Sequence, residues 1–294
     1  MHPTLSLHIR PLDKTDEYYA CEEVQKLAWQ DEQETVAPAH MLLAAVEAGG
    51  LALGAFDAAG QLLGFVLGLL ARQDDVGLYH YSHLLAVHPQ WWGHGIGYRL
   101  KLAQRQAVLG QGLTLITWTF DPLERRNAVL NFVKLGVICD TYLKNLYGDM
   151  RDGLNAGLPT DRFKVRWQLR SPRVLQRLQG ARPQLDLETL NAHGALLVNP
   201  AKHGPDGWLH PCTSPAPLEG DQLLVQVPAD LQAIKRADLA LARAWRETSA
   251  AHLCSAFARG YAATEYLYQD GHSYYLLQKH PLDTPTTPND EEKL

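Results

Sequence analysis

The sequence predicts an α/β protein, and three observations carry that reading. Short apolar runs with a period of two alternate with amphipathic runs of period 3.6. Glycines and prolines fall between the runs. One strand candidate passes through a glycine loop straight into a helix, at residues 84–100. Composition agrees, because 46% hydrophobic and 20% charged residues describe a globular chain. At 294 residues the chain has the length of roughly two domains of about 150 residues each.

Taken in order, Leu5 to Arg10 alternates apolar and polar residues up to Pro11, as a strand does. Asp13, Thr15 and Asp16 are candidate caps for a helix whose Ala20, Val24, Leu27 and Ala28 share one face. A second helix runs from Pro38 to Glu47 and stops at Gly49-Gly50. Leu51 to Phe56 and Leu62 to Leu70 form a hairpin about Asp57–Gly60, and Leu78 to Val87 is the next strand. After the glycines, Ile96, Leu100, Ala103 and Ala107 mark the apolar stripe of a helix ended by Gly110 and Gly112. Leu113 to Phe120 reads as a strand, Asn127 to Leu135 as a short helix closed by Gly136, and Val137 to Leu143 and Phe163 to Leu169 as strands. A long loop, Tyr147 to Pro159, lies between those last two.

Arg170 to Pro183 reads as a junction, so we expect one domain over residues 1–170 and a smaller α/β region over 171–294. In the latter, the five prolines from Pro200 to Pro217 predict an irregular loop. Leu223 to Val227 is a strand, about Asp230 to Arg259 one long helix, and Tyr261 to Leu277 a hairpin about Asp270-Gly271. The polar tail after His280 is expected to be loose. The succession of strand, helix, glycine and hairpin occurs in both halves, over Leu113–Arg170 and Leu223–Gln278, as it would in a degenerate duplicate; two independent α/β layers explain it as well.

The net charge of −5 gives no broad basic footprint, so nucleic acid is not an expected partner. The longest apolar stretch, Leu62 to Ala71, is too short to span a bilayer, and the first residues lack a signal-peptide pattern. Cys21, Cys139, Cys212 and Cys254 show no CxxC spacing, so neither a disulfide framework nor a metal site is expected. A reducing cytoplasm suits them.

The chemistry concentrates in Leu84-Leu85-Ala86-Val87-His88-Pro89-Gln90-Trp91-Trp92-Gly93-His94-Gly95-Ile96-Gly97. Glycines let the backbone approach a bulky anion, and the free N–H groups of a helix's first turn face it. Spacing tells which anion cradle this is not. A GxGxxG fingerprint fails at Tyr98, which argues against a dinucleotide-binding oxidoreductase, and GxxxxGK[ST] is absent.

At these residues the sequence resembles the GNAT N-acyltransferases, whose motif is a strand ending in Val-x-Pro, then Arg/Gln-x-x-Gly-x-Gly/Ala, then a helix. The order of elements over about residues 5–170 is similar throughout. Ser82–Val87, Thr117–Pro122, Arg126-Asn127-Ala128, Lys134-Leu135-Gly136 and Leu158–Phe163 resemble a subgroup with an added C-terminal region. The resemblance implies a mixed-sheet GNAT fold, a C-terminal α/β extension, and transfer of an acyl group from acetyl-CoA, or another acyl-CoA such as succinyl-CoA, to the amine of a small substrate such as an amino acid. It implies that Leu85, Ala86 and Val87 pair with the pantetheine arm, and that Trp92, Gly93, His94, Gly95, Ile96 and Gly97 hold the pyrophosphate. Asn127 and Asn131, polar positions on the helix beside the cofactor, are candidates to bond pantetheine amides, and a plain surface role explains them equally well. Three departures are visible. Trp92 fills the Arg/Gln position, Phe132 fills the slot of the family's tyrosine acid, and His83 replaces a strand carboxylate. The departures at Trp92 and Phe132 motivate an alternative, a non-catalytic acyl-CoA-binding module.

Amine acylation requires a base for the ammonium and donors for the thioester carbonyl. His83, four residues before Val87, titrates in the right range. Asp121 is the other candidate, as base, as partner of the ammonium, or as a turn residue before Pro122. Arg126 and Arg162 are candidates for clamping a substrate carboxylate.

Overall fold

The computed structural model describes residues 6–29, 36–150, 152–181, 185–214 and 216–279; the tail after His280 lies outside them. The chain forms two compact units, each assembled from non-contiguous segments.

The first unit comprises Met1–Thr119 and Asn145–Thr160. Its elements are β1 (His8–Pro11), α1 (Thr15–Trp29), α2 (Ala39–Glu47), β2 (Leu51–Phe56), β3 (Leu62–Gln73), β4 (Gly77–Val87), α3 (Ile96–Gly110) and β5 (Leu115–Phe120). Strands β1 to β4 are antiparallel neighbours, and β5 joins β4 in parallel. Strands β2 and β3 are apolar on both faces because both faces are covered. Phe65, Leu67 and Ala86 pack with Tyr18, Val24 and Leu42 of α1 and α2. Leu53, Leu63 and Val66 pack with Ile96 and Leu100 of α3. The β2–β3 turn follows from Asp57, whose carboxylate accepts from the Ala59 and Gln61 amides.

Two irregularities in β4 matter below. Leu67 faces Leu84 but Gly68 faces Ser82, so His83 is the extra residue of a β-bulge. On its other edge β4 pairs with β5 only at His80↔Ile116 and Tyr81↔Thr117, and beyond them the strands separate.

The second unit comprises Phe120–Lys144 and Asp161–Leu294. It begins with α4 (Arg125–Ala128), which widens into a π-helical stretch, Val129–Leu135, closed by Gly136 at φ 74°. There follow β6 (Ile138–Leu143), β7 (Arg162–Gln168), α5 (Pro172–Leu178), α6 (Leu187–Ala192), β8 (Leu196–Leu197), β9 (Lys202–His203), β10 (Leu209–His210), β11 (Gln222–Val227), α7 (Leu231–Ala237), α8 (Leu239–Phe257), β12 (Tyr261–Gln269) and β13 (His272–Lys279). Its main sheet runs β7-β6-β12-β13-β11-β8. Two hairpins, β6–β7 and β12–β13, each preceded by a helix, meet antiparallel at Cys139↔Ala263. Phe120, Phe132, Phe163, Tyr266 and Tyr275 pack around this seam, edge-on except for the tilted Phe163–Tyr275 pair.

The structure departs from the expected elements in two places. The helix expected over 230–259 is two helices, because Asp238 is extended (φ −151°, ψ 103°) and its side chain caps α8 at the Leu241 amide. The proline-rich stretch holds a small hairpin, β9–β10. Within the second unit, β6 finds a partner strand in β12.

Among the described residues no helix is long and apolar enough to cross a membrane, and no His/Cys/Asp/Glu group could hold a metal. All four cysteines are free thiols.

Candidate active site

The glycine loop takes the shape its sequence requires. After β4, Pro89–Trp91 makes one 3₁₀ turn, Gly93 sits at φ 84°, and Gly95 is the left-handed N-cap of α3 at φ 76°. A Cβ added at Gly93 or Gly95 would meet nothing within 4 Å. The amides of both have no hydrogen-bond partner among the described residues, and the first N–H groups of α3 are orphaned by helix geometry. The loop is therefore an open concavity of backbone donors at the positive end of a 15-residue helix, which fits a pyrophosphate. Ile96 is buried against the sheet and anchors the helix start, and Gly97 packs beside Leu85 and Val87. Trp92 serves the loop itself, because its indole N–H donates to the Val87 carbonyl at 2.8 Å and ties the loop to the strand end. His94 stacks edge-on with Trp91, its ring centroid 5.5 Å away.

Beyond Tyr81 the edge of β4 that faced β5 is unpaired along Leu85–Val87, where Leu85 presents its backbone groups on that side and the Val87 carbonyl is held by Trp92. Ala86 is buried, and Leu85 and Val87 turn toward α3. The bulge lifts His83 out of the ladder, and its ring faces Tyr81 with centroids 6.0 Å apart. The side chain is exposed, while the burial it does have pushes its pKa below 6.5. His83 is thus neutral at pH 7 and able to accept a proton. The Thr119 and Tyr147 hydroxyls lie 3.1 Å apart. The Tyr81 phenol, raised first by burial and then by Tyr147, bonds with both.

On the opposite face of the splay lies a buried polar group that the sequence did not suggest. The Lys101 amine donates to Ser82 Oγ at 2.8 Å and Gln104 Oε1 at 3.0 Å, and sits 3.7 Å from the centre of the Trp118 ring. Gln104 Nε2 donates to His80 Nε2 at 3.1 Å, and the His80 ring fits because Gly68 has no Cβ, which would fall 1.9 Å from it. Burial pushes the Lys101 amine well below its usual value; it also brings His80, assisted by Lys101, down to about 4. One signal existed: Lys101 and Gln104 share a helical face with Gly97 and Val108, beside the apolar stripe.

Asp121 sits in the second unit and belongs to an ion pair. Arg246 donates to both its oxygens, at 2.6 and 2.5 Å, and Arg162 lies 3.8 Å away. Burial alone would raise this carboxyl, but the Arg246 charge and hydrogen bonds outweigh it and hold it below the usual range. Arg162 is buried too and bonded to the Asp161 carbonyl. Arg126 and Asn127 are exposed on α4, whereas Asn131 is buried in the π-helical stretch. Phe132 is fully buried among Phe120, Phe163 and Tyr275, so no proton donor stands there.

Residues 13–136 match the model of the GNAT acetyltransferase family. No curated protein matches the chain. Among solved structures it is similar to the ribosomal-protein-S18-alanine N-acetyltransferase of Escherichia coli, at 16% identity over 55% of this chain and 94% of that one, with a TM-score of 0.44. It is similar also to an aminoglycoside 6′-acetyltransferase type Ii, at 18% identity over 56% and 98%, TM-score 0.44. A NatC complex bound to Gag peptide and CoA aligns at 18% identity over 55% and 98%, TM-score 0.45. The matched segment, residues 13–136, carries the splayed β4–β5 pair and the glycine loop before α3, so this mixed-sheet α/β chain contains a segment that matches the GNAT acetyltransferase family.

Proposed function

We propose that the chain transfers the acetyl group of acetyl-CoA to the amine of a small molecule such as an amino acid, with His83 as general base. The observation that carries this reading is the bulge that places a neutral, exposed histidine where β4 and β5 separate. Acyl-CoA is the family's cofactor and supplies the acyl group as a thioester. The amides from Gly93 to Gly97 hold its pyrophosphate, and the free edge at Leu85–Val87 aligns its arm. His83 takes the proton that the ammonium must lose before it can attack. Tyr81, Thr119 and Tyr147 form a hydroxyl chain that relays a proton to solvent through the exposed Tyr147. Arg126 is the proposed contact for a substrate carboxylate, and a reducing cytoplasm the proposed setting for the free thiols.

The test is turnover of acetyl-CoA with a panel of amines, followed by thiol release. His83→Ala should lower kcat/KM by roughly 10²–10⁴-fold and leave CoA affinity intact. The acidic limb of the wild-type profile, set by a pKa below 6.5, should vanish with it. CoA binding without thiol release from any amine supports instead a non-catalytic acyl-CoA-binding module.

A further inference from the structure

We infer that Lys101, with Trp118 and Ser82, is the stop that limits the acyl group to acetyl. The inference rests on the acyl-CoA reading of the glycine loop and adds a determinant of donor chain length. From Val87 back to His83 the open edge of β4 spans four residue steps, roughly 13 Å of strand. An extended arm laid along it from the glycine loop ends near the bulge. Ser82 and Trp118 are the first residues of β4 and β5 past their last paired position, Tyr81↔Thr117. Both lie on the α3 side, and the Lys101 side chain bridges them there.

This stopper is packed and internally satisfied. Lys101 is 2% exposed. Its amine has Ser82 Oγ, Gln104 Oε1 and the Trp118 face around it, and Gln104 is fixed in turn by His80. These three partners surround the amine and take up its N–H groups. No donor is left for the distal carboxylate of a dicarboxylic acyl group, and the packed side chains would stand in the way of methylenes beyond the second carbon. The ordinary value of such a lysine as a surface charge is given up, since burying an amine without a carboxylate is costly.

Calorimetric affinities of the whole chain for CoA, acetyl-CoA, succinyl-CoA and hexanoyl-CoA test this without reliance on turnover. Wild type should bind acetyl-CoA at least about tenfold more tightly than hexanoyl-CoA or succinyl-CoA. Lys101→Ala removes the stopper and should tighten hexanoyl-CoA by about tenfold or more, at about fourfold per newly buried methylene. Lys101→Met refills the volume and should restore the preference for acetyl. Wild type that binds hexanoyl-CoA or succinyl-CoA as tightly as acetyl-CoA overturns the inference even if no variant folds. So does an unchanged ratio in a folded Lys101→Ala that still binds CoA. Wild type that binds no CoA species overturns the glycine-loop reading itself, and the stopper with it.

Discussion

Acidification should destabilise this protein through His80. The ring is 1% exposed, packed against Gly68, and accepts a hydrogen bond from Gln104 through Nε2, so the remaining proton sits on Nδ1 and the ring is neutral. Burial, with Lys101 nearby, brings its pKa from 6.5 down to about 4. The unfolded chain takes up this proton near pH 6.5, whereas the folded chain resists until about pH 4. Stability is therefore complete above 6.5 and declines as the pH falls from 6.5 to 4. At about 1.4 kcal/mol per unit the full loss is roughly 3 kcal/mol. That is a large part of the 5–15 kcal/mol typical of a domain. Urea unfolding of wild type and His80→Gln at pH 7.5 and 4.5 isolates it. Wild type should lose roughly 2–3 kcal/mol more over that interval than the variant, whatever the variant's starting stability. Equal losses, or a ring that titrates near 6.5 by NMR in the folded protein, would refute the reasoning.

Two further outcomes follow from geometry already described. Gly95→Val should weaken CoA binding strongly and destabilise the fold by about 1–2 kcal/mol, since φ 76° strains a β-branched residue even with open space around it; calorimetry and thermal unfolding measure the two effects separately. Asp121→Asn should cost about 3–5 kcal/mol in urea unfolding, because it leaves the buried Arg246 guanidinium without its carboxylate. The wild-type contribution of this carboxyl is present above its unfolded pKa near 3.8 and is lost as the pH falls through the lower folded value.

Local signals made one half of the site legible. The strand, the glycines and the helix stripe lie within 17 residues, and each carries its own rule of backbone geometry or periodicity. Hence the loop, α3 and the free edge of β4 stand where expected. What escaped depends on distance along the chain. Asp121 looks like a turn aspartate until Arg246, 125 positions later, is brought to it. A lysine on an amphipathic helix reads as solvated, and only β4 and β5 together show that Lys101 is enclosed. The bulge that frees His83 is a property of two strands in register, which neither strand's alternation reveals. Asp238 breaks a helix that periodicity alone would continue, because an aspartate can cap as readily as it can face water.

The seam at Cys139↔Ala263 joins strands made far apart in time. The two residues are 124 positions apart, so at about 5–20 residues per second a ribosome delivers the partner roughly 6–25 s after β6 itself. Until then the β6–β7 hairpin, bearing the Phe163 side chain that packs on Phe132 in the later core, offers an unpaired apolar edge to any neighbouring chain. Nascent copies on one message are the nearest such neighbours. Yield of folded protein should therefore depend on translation speed and on chaperone capture over the last third of synthesis, independently of how stable the finished molecule is.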